Sequence, residues 1–328
     1  MRVVITIDTE ADNQWEHSEK VELQNLDCLP RFQALSERYG FPPSYLCAYE
    51  VVASDKFEDL LRDAQRRGQA EIGAHLHPWT NPPFAAPDPM GVFDTSAYPA
   101  YPSELSIEVF RSKLSALSDL IARKTGRRPT SYRAGRWGLA AAHIPVLLEL
   151  GYTIDCSVTP LVSWQHIKGI RDGGPDFRAA PVEPYYLDPN DVCRKGDSHL
   201  FEAPVTILFT NLLIQRSAAC RRLLLRNRKS IVRRGLNKVF GIGPHWFRPY
   251  PHMSEQGLLA VYRAAKCAGL PVIEMMFHSS ELMAGGSPYN PDGPSIERLY
   301  QRLEGVFRML ADEGCKGAML SQLAPAAV

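Results

Sequence analysis

Apolar, β-branched runs alternate with amphipathic helical segments along most of this chain, and that alternation constrains the fold more than any other feature. Val3–Ile7 is apolar and β-branched almost without a break, which suits a strand buried on both faces. Leu29–Arg38 has helical spacing and stops at Gly40, a C-terminal cap. Ser44–Tyr49 reads as a second strand, 54–67 as a helix closed by Gly68, and Ala70–His77 as a third strand. A Pro-rich excursion, Pro78–Pro102, precedes a helix from Ser106 to Gly126 with Phe110, Leu114, Leu117 and Ile121 on one face. A strand over Thr130–Ala134, a helix over Ala140–Leu150 and a strand over Tyr152–Val158 follow. Such an order predicts a parallel sheet or barrel with its chemistry at the carboxyl ends of the strands.

The pattern lapses between Trp164 and Ser254, where only Leu200–Phe209 looks like a strand. It resumes with a helix over Glu255–Cys267, a strand over Pro271–Phe277, a helix over Ser295–Leu310 and a last strand near Ala318–Leu320. We read 1–328 as a single α/β barrel domain, with about 164–254 inserted as a cap over the barrel mouth. A chain of 328 residues with 45% hydrophobic and 22% charged residues can bury such a core.

A net charge of +1 gives no global attraction to nucleic acid or membrane. The opening run reaches Asp8 too soon for a signal peptide, and no run is long enough to span a bilayer. Seven scattered cysteines without a CxxC pair indicate neither a disulfide framework nor a zinc knuckle. These features predict a cytoplasmic chain with reduced thiols.

Polar residues gather where the strands should end. His75 and His77 are two apart, so on an extended strand they point to the same face and can offer two nitrogens to one metal ion. Asp8 and Glu10 are a second same-face pair, able to supply a metal ligand and a free base. Arg133 can hold ionised whichever carboxylate serves as that base. His278 stands at a further strand end as a proton donor to a leaving group. The set fits metal-assisted hydrolysis.

In order along the chain, Thr6-Ile7-Asp8-Thr9-Glu10, Glu71-Ile72-Gly73-Ala74-His75-Leu76-His77, Tyr132-Arg133-Ala134-Gly135, Asp155-Cys156-Ser157 and Phe277-His278 resemble the successive motifs of the NodB-homology polysaccharide deacetylases. The Asp-x-Glu, His-x-His-Pro-Trp and Tyr-Arg-Ala-Gly-Arg-Trp-Gly forms are most similar to a bacterial subgroup found among surface-polysaccharide biosynthesis genes. The resemblance implies a distorted (β/α) barrel that removes acetyl groups from sugars with a divalent metal, commonly zinc. Carried over by position, it makes Asp8 the general base, Glu10 and His75 metal ligands, Arg133 the partner of the base and His278 the general acid. Two positions depart from the family pattern. Trp79 stands where the second histidine of the motif usually falls, so His77 is read as taking over that role. Glu10 stands where the family usually carries an aspartate.

The expected substrate is an N-acetylated sugar, glycan or lipid-linked saccharide, cleaved at a carbon–nitrogen bond. Trp79, Trp137, Trp164, Trp246 and Arg248 are the candidate substrate contacts, because flat rings suit the apolar faces of sugars. Ala203–Ser254 carries ten Lys or Arg residues and no acid. Its core, 216–238, is either a solvated helical face or a surface for an anionic membrane or a phosphorylated, lipid-linked sugar; no nucleic-acid-binding motif accompanies it. The remaining alternatives are an allantoinase-like hydrolase of a cyclic amide and a non-catalytic glycan-binding relative.

Overall fold

A computed structural model describes residues 1–12, 21–217, 219–221, 224 and 243–324. Its main elements are β1 (Arg2–Thr9), α1 (Leu29–Tyr39), β2 (Pro43–Cys47), β3 (Glu71–Leu76), α2 (Ile107–Thr125), β4 (Ser131–Ala134), α3 (Ile144–Glu149) and β5 (Ile154–Asp155). There follow β6 (Tyr185–Asp188), β7 (Asp191–Lys195), β8 (Phe201–Glu202), β9 (Ile207–Phe209), β10 (Pro244–Trp246), α4 (Glu255–Cys267), β11 (Val272–His278), α5 (Gly293–Asp312) and β12 (Lys316–Gly317).

The main sheet runs in the order β11-β1-β2-β3-β4-β5-β8-β6-β7, with β12 beside the start of β1. Its strands are parallel from β11 through β8, and the β6–β7 hairpin then adds antiparallel. The sheet curls back on itself just beyond β8. There the Thr206 N–H donates to the Glu274 carbonyl at 3.4 Å, and the Glu274 N–H donates to Thr206 Oγ1 at 2.8 Å. Part of the stretch expected as a cap is therefore sheet: β8 pairs with β5, and the hairpin extends its edge. The single strand expected over Leu200–Phe209 divides into β8 and β9, and the sequence hides the hairpin because it is half exposed and carries no long apolar run.

The two-residue period of each strand sorts side chains between two environments. Val3, Ile5 and Ile7 join the large core under the helices, where Phe32 of α1 meets Phe277 of β11 at 5.2 Å between ring centroids. Val4 belongs instead to a small interior cluster with Leu46, Ile154 and Val272, sealed by Leu320 and Leu323. On the same inward series as Val4, Thr6 bonds Glu274, and Asp8 stands at the far end. The barrel interior is thus apolar at one end and polar toward the carboxyl ends of the strands.

Most helix boundaries follow local chemistry. Ser106 and Ser254 cap α2 and α4 by accepting the Val109 and Gly257 N–H groups, and Gly40 ends α1 in the left-handed region at φ 70°. The last strand forms two residues earlier than expected, at Lys316–Gly317, where it pairs with Arg2 and Val3 of β1. Leu320 then turns into the barrel end, where its N–H donates to Ser44 Oγ at 3.0 Å.

Candidate active site

Five of the residues singled out in the sequence converge where β1, β3 and β11 end. Asp8, Glu10, His75, His77 and His278 line one cleft of about 130 Å³, together with Trp79, Tyr98, Pro99, Ala134, Arg136 and Trp137. The parallel register accounts for the meeting: Asp8 lies opposite His278, and His75 lies opposite Arg133.

Arg133 is fully buried and spans three partners. Its Nη1 donates to Asp8 Oδ1 at 2.6 Å, its Nη2 to Glu274 Oε1, and its Nε to the Cys156 carbonyl at 3.0 Å. Burial pushes the Asp8 carboxyl up, but the Arg133 charge, aided by His75 and His278, outweighs it and holds Asp8 below its ordinary value. Asp8 Oδ2 is left facing the cleft, 3.9 Å from His75 Nε2 and 3.8 Å from His278 Nε2. Glu274 shares the same guanidinium, yet burial pushes its carboxyl up to about 7. The sequence reading missed Glu274, although it stands on the inward series of β11 two steps before His278.

Glu10, His75 and His77 form a compact donor set, each with one ligand atom, all within 4.8 Å of one another. His75 Nδ1 lies 3.1 Å from the Arg133 carbonyl, which can only accept, so its proton is on Nδ1 and the Nε2 lone pair faces the cleft. His75 Nε2 is 3.5 Å, and His77 Nε2 2.8 Å, from Glu10 Oε2. His77 Nδ1 is buried and has no hydrogen-bond partner among the described residues. Burial pushes Glu10 up, but the adjacent His75 and His77 imidazoles outweigh it and hold the carboxyl far below its ordinary range. Burial pulls His77 down toward its neutral form.

Gly135 makes room for this set. A Cβ there would stand 2.4 Å from the Leu76 carbonyl and 2.7 Å from His77 Nδ1. The next two residues, Arg136 and Trp137, are held in the left-handed region at φ 54° and 65°, a strained pair for non-glycine residues. That turn brings Trp137 onto the cleft wall.

The aromatic expectations divide. Trp79 and Trp137 line the cleft, whereas Trp164 and Trp246 stand behind Trp137, at 6.2 Å each between centroids. Arg248 does not line the cleft. It is 3% exposed, and its Nη2 donates to Glu281 Oε1 at 2.5 Å while lying 3.0 Å from His278 Nδ1. The sequence put it among substrate contacts because it sits in an aromatic, cationic segment; the fold turns its head inward to a buried acid. Tyr98 and Glu281 were missed as well. Tyr98 comes from the Pro-rich excursion, which carries no periodic signal. Glu281 lies only three residues beyond His278, a spacing that a search for its partner finds.

Asp155 is fully buried away from the cleft lining, where it accepts the Ser157 N–H at 2.8 Å and pairs with Glu202. Of the basic run 216–238, only 216, 217, 219–221 and 224 are described, so the membrane-facing surface expected there lies outside the described residues. Among the described residues no helix is long and apolar enough to cross a membrane.

No family profile and no curated protein matches the chain. Solved structures share its fold at low identity. One is a candidate glycoside hydrolase/deacetylase from Parabacteroides distasonis: TM-score 0.59 and 12% identity over 98% of this chain and 70% of that one. Another, from Mycobacterium smegmatis, is described as a candidate polysaccharide deacetylase: TM-score 0.50 and 14% identity over 98% and 89%. A family 57 branching enzyme from Thermococcus kodakaraensis matches with TM-score 0.52 and 9% identity over 100% and 71%.

Proposed function

We propose that the chain is a metal-dependent hydrolase that removes the acetyl group from an N-acetylated sugar. One observation carries the reading: two carboxylates and three imidazoles face one small cleft, with a buried arginine bonded to the carboxylate placed to act as base. Fold alone does not carry it, because the same fold serves a branching enzyme as well as proteins described as deacetylases.

The donor set suits a divalent cation, which we take to be zinc. Glu10, His75 and His77 would hold it. The His75 tautomer leaves Nε2 free, and His77 is seated against a position that admits only glycine without a shift. A cation also balances Glu10, since Arg133 is bonded to Asp8. Bound there, it supplies Lewis acidity to the acetyl carbonyl and acidifies water.

The chain's own groups do the rest. Asp8, kept ionised by Arg133, takes the proton of the attacking water through Oδ2. His278 Nε2, 3.8 Å from Asp8 Oδ2 in the same cleft, gives a proton to the departing amine. Trp79, Tyr98 and Trp137 wall the cleft against bulk water and offer flat faces to a sugar ring. The segment around 164–254 is read as a cap, because Trp164 and Trp246 back the cleft wall at Trp137. A role in surface-glycan or glycolipid biosynthesis, in the cytoplasm, completes the proposal.

Acetate release from a panel of N-acetylated sugars and nucleotide sugars tests it, comparing zinc-loaded wild type with Asp8→Asn. Release by wild type that Asp8→Asn abolishes is the expected outcome. Absence of release from every member of the panel would overturn the reading.

A further inference from the structure

His278 is served from behind by a buried ion pair. The His278 N–H donates to Glu281 Oε1 at 2.9 Å, and the ring Nδ1 lies 3.0 Å from the same oxygen. Arg248 Nη2 donates to that oxygen as well, while Arg248 Nη1 rests 2.9 Å from Met276 Sδ. The guanidinium stands over the rings of Tyr250 and Tyr289, at 4.7 and 5.7 Å. The Glu281 backbone is fixed in turn, its carbonyl accepting Asn290 Nδ2 at 2.8 Å. Glu281 and Arg248 are 1% and 3% exposed.

A buried ion pair is poor value as a source of stability, since apolar side chains of like volume commonly do as well or better. This one has a directional consequence. His278 Nε2 faces Asp8 and Glu10 at 3.8 Å each. An imidazole that gives up its Nε2 proton to a leaving group must keep the other on Nδ1, and Glu281 Oε1 is the acceptor the fold places there. Arg248 Nη2 also lies 3.0 Å from His278 Nδ1 but cannot accept its proton, so a protonated Nδ1 has Glu281 Oε1 as its acceptor, and Arg248 anchors that carboxylate and partly offsets its charge.

We propose that Glu281, anchored by Arg248, is the positioning residue of the general acid: it holds the proton on His278 Nδ1 and aims Nε2 into the cleft. This rests on the hydrolase reading of the same site. No substrate contact is assigned to either residue.

Leaving-group dependence tests the proposal. Glu281→Gln should lower kcat for an N-acetylated sugar about 100-fold, the order a general acid contributes, with KM little changed. On 4-nitrophenyl acetate, whose phenolate departs without a proton, the loss should be at least about tenfold smaller. Glu281→Asp should recover part of the amide activity. Equal losses on both substrates, or a loss confined to KM, would overturn the proposal. Glu281→Gln leaves Arg248 buried without its full partner, so a second readout covers a variant that fails to fold. In wild type, nitrogen NMR of labelled histidine, assigned by difference against His278→Gln, should show a protonated Nδ1 in the neutral ring; a bare Nδ1 overturns the proposal. Should wild type cleave neither substrate, the hydrolase reading falls, and the nitrogen resonance decides the positioning claim by itself.

Discussion

The ends of β3 and β11 both present imidazoles to the cleft, but what stands behind each ring differs. Behind His75 is the Arg133 carbonyl, a neutral acceptor that fixes the tautomer and leaves the Nε2 lone pair forward. Behind His278 is the Glu281 carboxylate, backed by Arg248. A lone pair next to Glu10 suits a cation; a ring supported at Nδ1 by a carboxylate suits a group that carries a proton. The same side chain takes on two chemistries through its partner at Nδ1. His143 marks the limit without any carboxylate: it is buried, stacked on Phe110 at 3.8 Å, and burial pulls it down to about 4.

Each half of this contrast can be broken. The largest effect is expected at Asp8, which serves both ends. Asp8→Asn should lower kcat about 1,000-fold, while the bound metal stays near its wild-type level. Loss of metal along with activity would move Asp8 into the ligand set.

His143 sharpens the contrast through stability. Its folded-state pKa lies below the unfolded value near 6.5, so the unfolded chain binds the proton more tightly between those values. The stability this group contributes is full above about pH 6.5 and is lost as pH falls toward 4, by about 3 kcal/mol in all. Denaturant unfolding of wild type and His143→Gln across that range checks it; the variant should lack this part of the slope.

His278→Gln comes next, with a loss of about 100-fold on an N-acetylated sugar and a much smaller one on an aryl acetate. Equal losses on both would remove the proton-carrying role from the β11 end. Gly135→Ala should be the mildest. Its Cβ would press on His77 and the Leu76 carbonyl, weakening metal affinity by about tenfold, as measured by competition with a chromophoric chelator. Unchanged affinity would argue that His77 is not a ligand.

Much of the β3 end was legible in the sequence, and much of the β11 end was not. His75, His77, Asp8 and Glu10 follow a two-residue period on strands whose apolar runs announce them, and the parallel register brings them together. Arg133 was legible for the same reason. The support of His278 depends on Arg248, thirty positions away in the irregular part of the chain, where no period relates the two. Its aromatic neighbours invited a reading as substrate contact, and burial reversed it. The β6–β7 hairpin escaped notice because short, half-exposed strands leave too few apolar positions to reveal a period, and the single strand expected over Leu200–Phe209 divides into β8 and β9. Helix α4 shows the opposite case: the bounds expected from the sequence, Glu255–Cys267, are those of the fold, where Ser254 caps its start.

The contrast between the two strand ends is tested most directly by metal binding rather than turnover. Calorimetric titration of zinc into metal-stripped wild type, His75→Ala and His278→Ala separates the two imidazole roles without substrate. The expected result is a single tight site in wild type, its loss in His75→Ala and its retention at near wild-type affinity in His278→Ala. A site that survives in His75→Ala, or disappears in His278→Ala, would contradict the assignment of the cation to the β3 end and the proton to the β11 end.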